Sequence, residues 1–270
     1  MTKINYKKIS TLLLWICAIS GLILSWSFSQ KKQSSIKVKH ISVDIVNPSD
    51  IEFINESDVK AFFIERNDAI LDAEIKNIDI TILEKALNSN PAVENAEISY
   101  DINGDFKISV KQRRPLVRIF NANGESYYID SLSKLMPLSF KSTGRVIVAN
   151  GSIYEPYARR YQFSVNQISQ NKDFKEISVL DDVYEISKQI YADSLLSNLI
   201  QQIFVTPEKD FILVPLVGNQ SILLGSSDEL DLKLNKLKLF YKEGLSKTNS
   251  WNKYSTINLK FKNLVVCTKK

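Results

Sequence analysis

The stretch Ile9–Ser29 constrains this chain more than any other. No charged residue interrupts it. At about 1.5 Å of rise per residue it makes a helix roughly 30 Å long, the thickness of a bilayer's hydrocarbon core. A surface helix of that length in a globular domain shows a polar face, and a cleaved signal has a shorter apolar region. The one small-x-small site, Ser25-Trp26-Ser27, has a bulky centre and is soon followed by Lys31 and Lys32. Trp26 and Tyr6 stand near the ends of the run, as interfacial aromatics do. The expectation is a tail at 1–8, an uncleaved transmembrane helix at 9–29 and a juxtamembrane linker at 30–36. Lys3, Lys7 and Lys8 precede the helix, while Lys31, Lys32, Lys37 and Lys39 follow it. The positive-inside count therefore leaves orientation open. A short tail is easier to retain inside than the body from Gln30 to Lys270, which favours a cytoplasmic N-terminus with the body outside.

That body has room for about two domains. Hydrophobic residues at 44% and charged residues at 24% are ordinary for globular chains. The net charge of +5 is spread along the chain. Nucleic-acid binding calls for a concentrated basic patch with a recognisable motif, and there is none. The two cysteines, Cys17 and Cys267, fall in the apolar run and at the far end, too separated to form a bridge. The single histidine, His40, cannot build a His-based zinc set.

After the linker, Ile41, Val43 and Ile45 alternate along one face of a strand. Asn55 and Asp58 open a first helix with Val59, Phe62 and Phe63 inward. A second helix runs from about Asp79 to Asn88, its apolar face formed by Ile82, Leu83, Ala86 and Leu87. Val93–Ile102 and Phe106–Arg113 flank Asn103-Gly104, a strong hairpin signal. The order is β-α-α-β-β, over 37–114.

The remainder, 115–270, reads as a mixed, mostly antiparallel sheet with flanking helices, which makes the body an α+β fold behind a single N-terminal transmembrane helix. Strands are expected at Leu116–Phe120, Glu125–Asp130 and Arg145–Ala149, and 159–175 as a loop or marginal helix. Helices follow from Asp181 and over Ser194–Leu199. Strands come next at Gln201–Val205, Asp210–Leu216 and Ser221–Leu224. Ser226 to Glu229 spells a capping box for a helix with Leu230, Leu234, Leu237 and Tyr241 in one stripe, and Gly244 fits its C′ position. Lys233, Lys236, Lys238 and Lys242 read as that helix's solvated face. One final strand is expected over Ser255–Val266, with Ile257, Leu259 and Phe261 alternating.

No catalytic signature is present: neither Gly-x-Ser-x-Gly, nor His-Glu-x-x-His, nor a P-loop. Ser131-Leu132-Ser133-Lys134 matches Ser-x-x-Lys, but the companion elements of that enzyme class are missing. The position reads as a turn. Asp181-Asp182 and Asp228-Glu229 sit at helix starts, where capping explains them. The expectation is a protein with no catalytic residue, no metal, no cofactor and no small-molecule substrate.

The order of segments carries more than any motif. Asn90-Pro91-Ala92-Val93 with Ala96, Ile108-Ser109-Val110 with Arg113 and Pro115, and Tyr127-Tyr128 with Asp130 resemble patterns of the FtsQ/DivIB family of bacterial cell-division proteins. Ile203–Val205, Leu213–Pro215, Ile222–Gly225 and Lys233-Leu234 with Leu237 resemble its C-terminal half. The first module resembles a POTRA domain. The resemblance implies a non-enzymatic, single-pass scaffold of the cytoplasmic (inner) membrane at the division site, with its bulk periplasmic. It would hold FtsB/FtsL-like coiled-coil partners and other divisome components. It also implies strand addition at the last strand. The family's Asp-Leu-Arg-Tyr corresponds there to Asn258-Leu259-Lys260-Phe261, with a carboxylate and a hydroxyl lost. The residues expected to bind the partner are Asn258, Lys260, Phe261, Leu264, Val265 and Val266. A membrane-anchored wall-binding or wall-remodelling protein is the alternative; tandem POTRA modules or a barrel, as outer-membrane assembly requires, are not apparent.

Overall fold

The computed structural model describes residues 15, 19–21, 36–46, 51–65, 70–139, 141, 143–155, 157, 164–170, 175 and 178–270. Of the expected membrane helix at 9–29, Trp15, Ile19, Ser20 and Gly21 are described and helical; the rest, the tail and nearly all of the linker lie outside the described residues. Among the described residues no helix is long and apolar enough to cross a membrane. The loop reading for 159–175 also falls largely outside them; the described part holds one helical turn, Asn166–Ser169.

The chain divides into two compact units, one built from β1 and the chain from Ile54 to Lys111, the other from 51–53 and the chain from Gln112 onward. In the first, β1 (His40–Val46) is followed by α1 (Glu56–Glu65), a 3-10 turn at Ile75–Asn77 and α2 (Ile80–Asn88). Strands β2 (Val93–Tyr100) and β3 (Asp105–Gln112) complete it. The β-α-α-β-β order is the one expected from the sequence.

Both helices start on side-chain caps that use the orphan amides of a first turn. The Asn55 carbonyl oxygen Oδ1 accepts from the Asp58 amide at 3.1 Å, and Asp58 Oδ2 accepts from the Asn55 amide at 2.9 Å. Asp79 Oδ1 accepts from the Ile82 amide at 3.1 Å. The sheet order is β1-β3-β2, with β1 parallel to β3 from His40↔Asp105 to Val46↔Lys111. Phe106, Ile108 and Val110 of β3 are fully buried and pack with Val59, Phe63, Leu83 and Leu87 of the helices. Ile82, expected in the apolar face, is exposed instead; Leu83 and Leu87, four residues apart, carry that stripe. Gly104 of the hairpin takes φ +92°, and a Cβ there would lie 2.2 Å from the Lys37 carbonyl oxygen. Glycine alone satisfies both demands.

Among the described residues, the second unit is built on a nine-stranded mixed sheet. Its strands in chain order are β4 (Pro115–Phe120), β5 (Ser126–Asp130), β6 (Leu135–Met136) and β7 (Ile147–Gly151), then β8 (Ile200–Val205), β9 (Phe211–Pro215), β10 (Ser221–Gly225), β11 (Tyr254–Asn258) and β12 (Val266–Lys269). They lie side by side as β12-β11-β10-β9-β8-β7-β4-β5-β6. Hairpin neighbours β4–β5, β8–β9, β9–β10 and β11–β12 are antiparallel, and β4–β7, β7–β8 and β10–β11 are parallel. Parallel neighbours need a crossover. Between β7 and β8 it is made by α3 (Leu180–Ala192) and α4 (Ser194–Leu199). Between β10 and β11 it is made by α5 (Leu230–Leu239) and a π-helix at Phe240–Ser246.

One sheet face carries the core. Val117, Ile119, Ala149, Ile203, Val205, Leu213, Ile222 and Ile257 meet Val183, Ile186 and Ile190 of α3 and Leu234 and Leu237 of α5, all buried. Gln112 is also fully buried. Its amide nitrogen donates to the Ile51 carbonyl, and its oxygen accepts from the Phe53 amide, both at 2.6 Å. This pair of bonds holds 51–53 within the second unit, a use of Gln112 that no local pattern announces.

Three expectations about the last third are corrected. Ser226 does not cap α5: its hydroxyl donates to Asp228 Oδ2 at 2.9 Å. Glu229, at φ 49° and ψ 35°, starts the helix with no side-chain cap. Gly244 does not end the helix, because the π-helical turn runs through it to Ser246. The lysines of α5 are not simply a solvated face. Lys233 is buried and donates to the Ser226 carbonyl at 2.8 Å, and Lys238 pairs with Asp193 at 2.7 Å. A flexible stem lets a lysine on a polar helix face bury its methylenes and still reach an acceptor.

Candidate docking edge

The single final strand expected at Ser255–Val266 is two strands joined by a turn. β11 is flanked on both sides, parallel to β10 through Ile222↔Ile257 and Leu223↔Asn258 and antiparallel to β12 through Ile257↔Cys267 and Asn258↔Val266. β12 is therefore the outermost strand. The turn has a local cause. Leu259 is still pinned to the sheet, its amide donating to the Leu223 carbonyl at 2.9 Å, and its side chain is fully buried. One residue later, Asn258 Oδ1 accepts from the Lys260 amide at 3.0 Å. That side-chain bond competes with the ladder and turns the chain. Lys236 Nζ then donates to the Leu259 carbonyl at 3.0 Å and to the Phe261 carbonyl. Phe261, expected to continue the inward alternation, points out instead.

All six expected partner-binding residues fall in this hairpin end. Asn258 closes β11 and is half-buried. Lys260 is exposed, but its ammonium pairs with Asp210. Its stem lies over Gly225, where φ is +76° and a Cβ would stand 2.9 Å from Lys260 Cγ. Val265 is half-buried and packs against the core. Phe261, Leu264 and Val266 are 50%, 63% and 45% exposed, so three apolar side chains face solvent within one turn and the first residue of the outer strand. Lys262 approaches Glu229 at 3.4 Å, and Thr268, Lys269 and Lys270 are exposed beyond it. Burial pushes the thiol of Cys267, on β12, above its ordinary value.

An outer strand presents backbone donors and acceptors that a further chain can take up. Among the described residues nothing pairs with the outer side of β12. The opposite end of the sheet is different: β6 spans only Leu135–Met136, both buried, and a bridge between Lys134 and Ser164 extends beside it. Leu259 was legible from its alternation with Ile257. Lys236 was not, since its spacing among leucines matches any solvated helix lysine.

Ser131–Lys134 is a turn, with Ser133 at φ 64° and Asp130 Oδ1 accepting from the Leu132 and Lys134 amides at 2.9 and 2.7 Å. Among the described residues no three His, Cys, Asp or Glu side chains gather as a metal set.

The chain carries a small β-α-α-β-β module followed by a broad mixed sheet whose last strand, among the described residues, has one side unpaired. Residues 37–111 match the POTRA-like domain, and 114–268 match the FtsQ/DivIB C-terminal related domain. The chain belongs to the FtsQ/DivIB family of division-associated scaffolds, and both matched domains are of non-catalytic scaffold families. No curated protein matches the chain.

Proposed function

We propose that this protein is a single-pass scaffold of the bacterial division machinery. It is anchored in the cytoplasmic membrane by 9–29, with its N-terminus inside and its two units outside. It holds an FtsB/FtsL-like coiled-coil pair by strand addition along β12. Strand addition draws affinity from backbone hydrogen bonds and selectivity from alternate side chains. The observation that carries the reading is the conjunction of an unpaired outer strand with Phe261, Leu264 and Val266 exposed beside it. Such a strand, if it served no partner, would be an aggregation hazard.

The test is capture of the FtsB/FtsL-like pair by the full chain co-expressed in membranes. Phe261→Lys with Leu264→Lys replaces two exposed side chains and leaves the core intact. Capture is expected to fall at least tenfold, as for interface anchors worth about 2 kcal/mol each, with an unchanged melting temperature. Undiminished capture by a folded double variant refutes the assignment of this edge.

A further inference from the structure

The second unit carries a groove of about 920 Å³ far along the sheet from β12. It runs along β7 and β8 and reaches α4 and Tyr191, the next-to-last residue of α3. Phe120 and Tyr191 line it, together with Asn150, Gln202, Gln201 and Asn198. Phe120 and Tyr191 are 40% and 47% exposed. Each ring is backed by a guanidinium: Arg118 lies 4.6 Å from the Phe120 centroid, and Arg114 lies 4.6 Å from that of Tyr191. A cation over one face fixes a ring, and neither guanidinium is among the residues lining the groove. Gln202 Nε2 donates to Asn150 Oδ1 at 2.8 Å, which orients both amides.

Three ligand classes fit poorly. Of the described residues lining the groove, Arg145 alone is charged, whereas anionic ligands are held by clustered cations. A flat apolar ligand would meet too many amides. An added peptide strand needs an edge, but β7 is paired with β4 and β8, and β8 with β7 and β9. What remains is a ligand with apolar faces and a rim of hydroxyls or acetamido groups. Amide side chains both donate and accept, and aromatic faces pack against the C–H face of a sugar ring. We infer that this groove binds a neutral saccharide chain, with Phe120 and Tyr191 as stacking platforms and the bonded pair Asn150 and Gln202 as polar readers in the same groove.

The experiment uses the full chain in a zwitterionic detergent, because sugar-headed detergents would compete. Titration calorimetry with an N-acetylglucosamine hexamer and a cellulose hexamer, and co-sedimentation with purified wall sacculi, provide the probes. At least one probe is expected to bind. Phe120→Ala and Tyr191→Ala are each expected to weaken it about tenfold, and Gln202→Leu several-fold, with melting temperatures unchanged. Phe261→Lys with Leu264→Lys should leave saccharide binding intact, which separates this groove from the partner edge. No binding of any probe at millimolar concentration overturns the inference. So does equal binding by folded Phe120→Ala and Tyr191→Ala variants, or displacement by an extended peptide and not by free saccharide.

Discussion

Replacing Lys236 by Met tests whether the turn after β11 is held by α5. Methionine keeps most of the stem and its packing, so the change isolates the ammonium. Two hydrogen bonds are lost, to the carbonyls of Leu259 and Phe261. Bonds to a charged group are worth about 1.5–3 kcal/mol each when buried. The Phe261 carbonyl is exposed and regains water, so its share is small. The Leu259 contact is half-buried and loses more. Together they amount to about 2 kcal/mol, or roughly a 30-fold shift in a local opening equilibrium. Leu259 and its pin to Leu223 lie at the base of the turn, so the shift should appear in amide hydrogen exchange at Leu259 and Lys260. Exchange in β8 and β9, deep in the sheet, should stay as it is. Partner capture should fall with it, since Phe261 and Leu264 would be presented from a loosened turn. Exchange at Leu259 altered less than about threefold would refute the clasp. Equal acceleration in β8 would show a global role instead.

Other outcomes follow from single contacts. Gly225→Ala places a side chain at φ +76° against the Lys260 stem; the left-handed conformation alone costs about 1–2 kcal/mol, to be read in urea melts, and an unchanged midpoint would mean that the loop gives way. Tyr127→Phe removes the bond from its hydroxyl to the Glu155 carbonyl at 2.8 Å, and Asn121 Nδ2 still serves that oxygen at 3.3 Å. The expected loss is about 1 kcal/mol, a melting shift of roughly 2–4 °C by calorimetry. Burial pushes the Asp130 carboxyl above the ordinary range, against the pull of the Lys134 and Leu132 amides and of Arg113. The folded state therefore favours the protonated acid. Its contribution to stability is present in full below the unfolded value of about 3.9 and is lost as pH rises through the elevated folded value. Asp130→Asn removes that slope, so the variant should gain on the parent as pH rises from 4 to 7 in denaturant melts; a variant that loses ground over that range would show that the Arg113 pair outweighs burial.

Local grammar made much of this protein readable. The Asn55 cap with Asp58 in its first turn, the helix start near Asp79, the Asn103-Gly104 hairpin and the buried stripe of Leu230, Leu234, Leu237 and Tyr241 each depend on residues a few positions apart. The errors arose where a competing side-chain bond, local or distant, took over. Ser226 to Glu229 has the spelling of a cap, yet Ser226 turns to Asp228, and Ser227 bonds Asp182 on another helix. The alternation of Ile257, Leu259 and Phe261 spells one long strand, yet Asn258 and Lys236 end it after Leu259.

What the sequence alone determined is each segment's character: an apolar run of bilayer length, a β-α-α-β-β module, and a set of strands and helices with known inward faces. Periodicity of 2 or 3.6 says which side of an element is buried, but not which element lies beside it. Only the tertiary structure decided that β11 sits inside the sheet and that β12 is its rim. It also decided that β7 and β8 line one groove together with Phe120 of β4 and Tyr191 of α3. Backbone hydrogen bonds between strands are the same whatever the side chains, so neighbours are chosen by crossovers and core packing over long sequence separations, and the free edge is whatever that choice leaves unpaired.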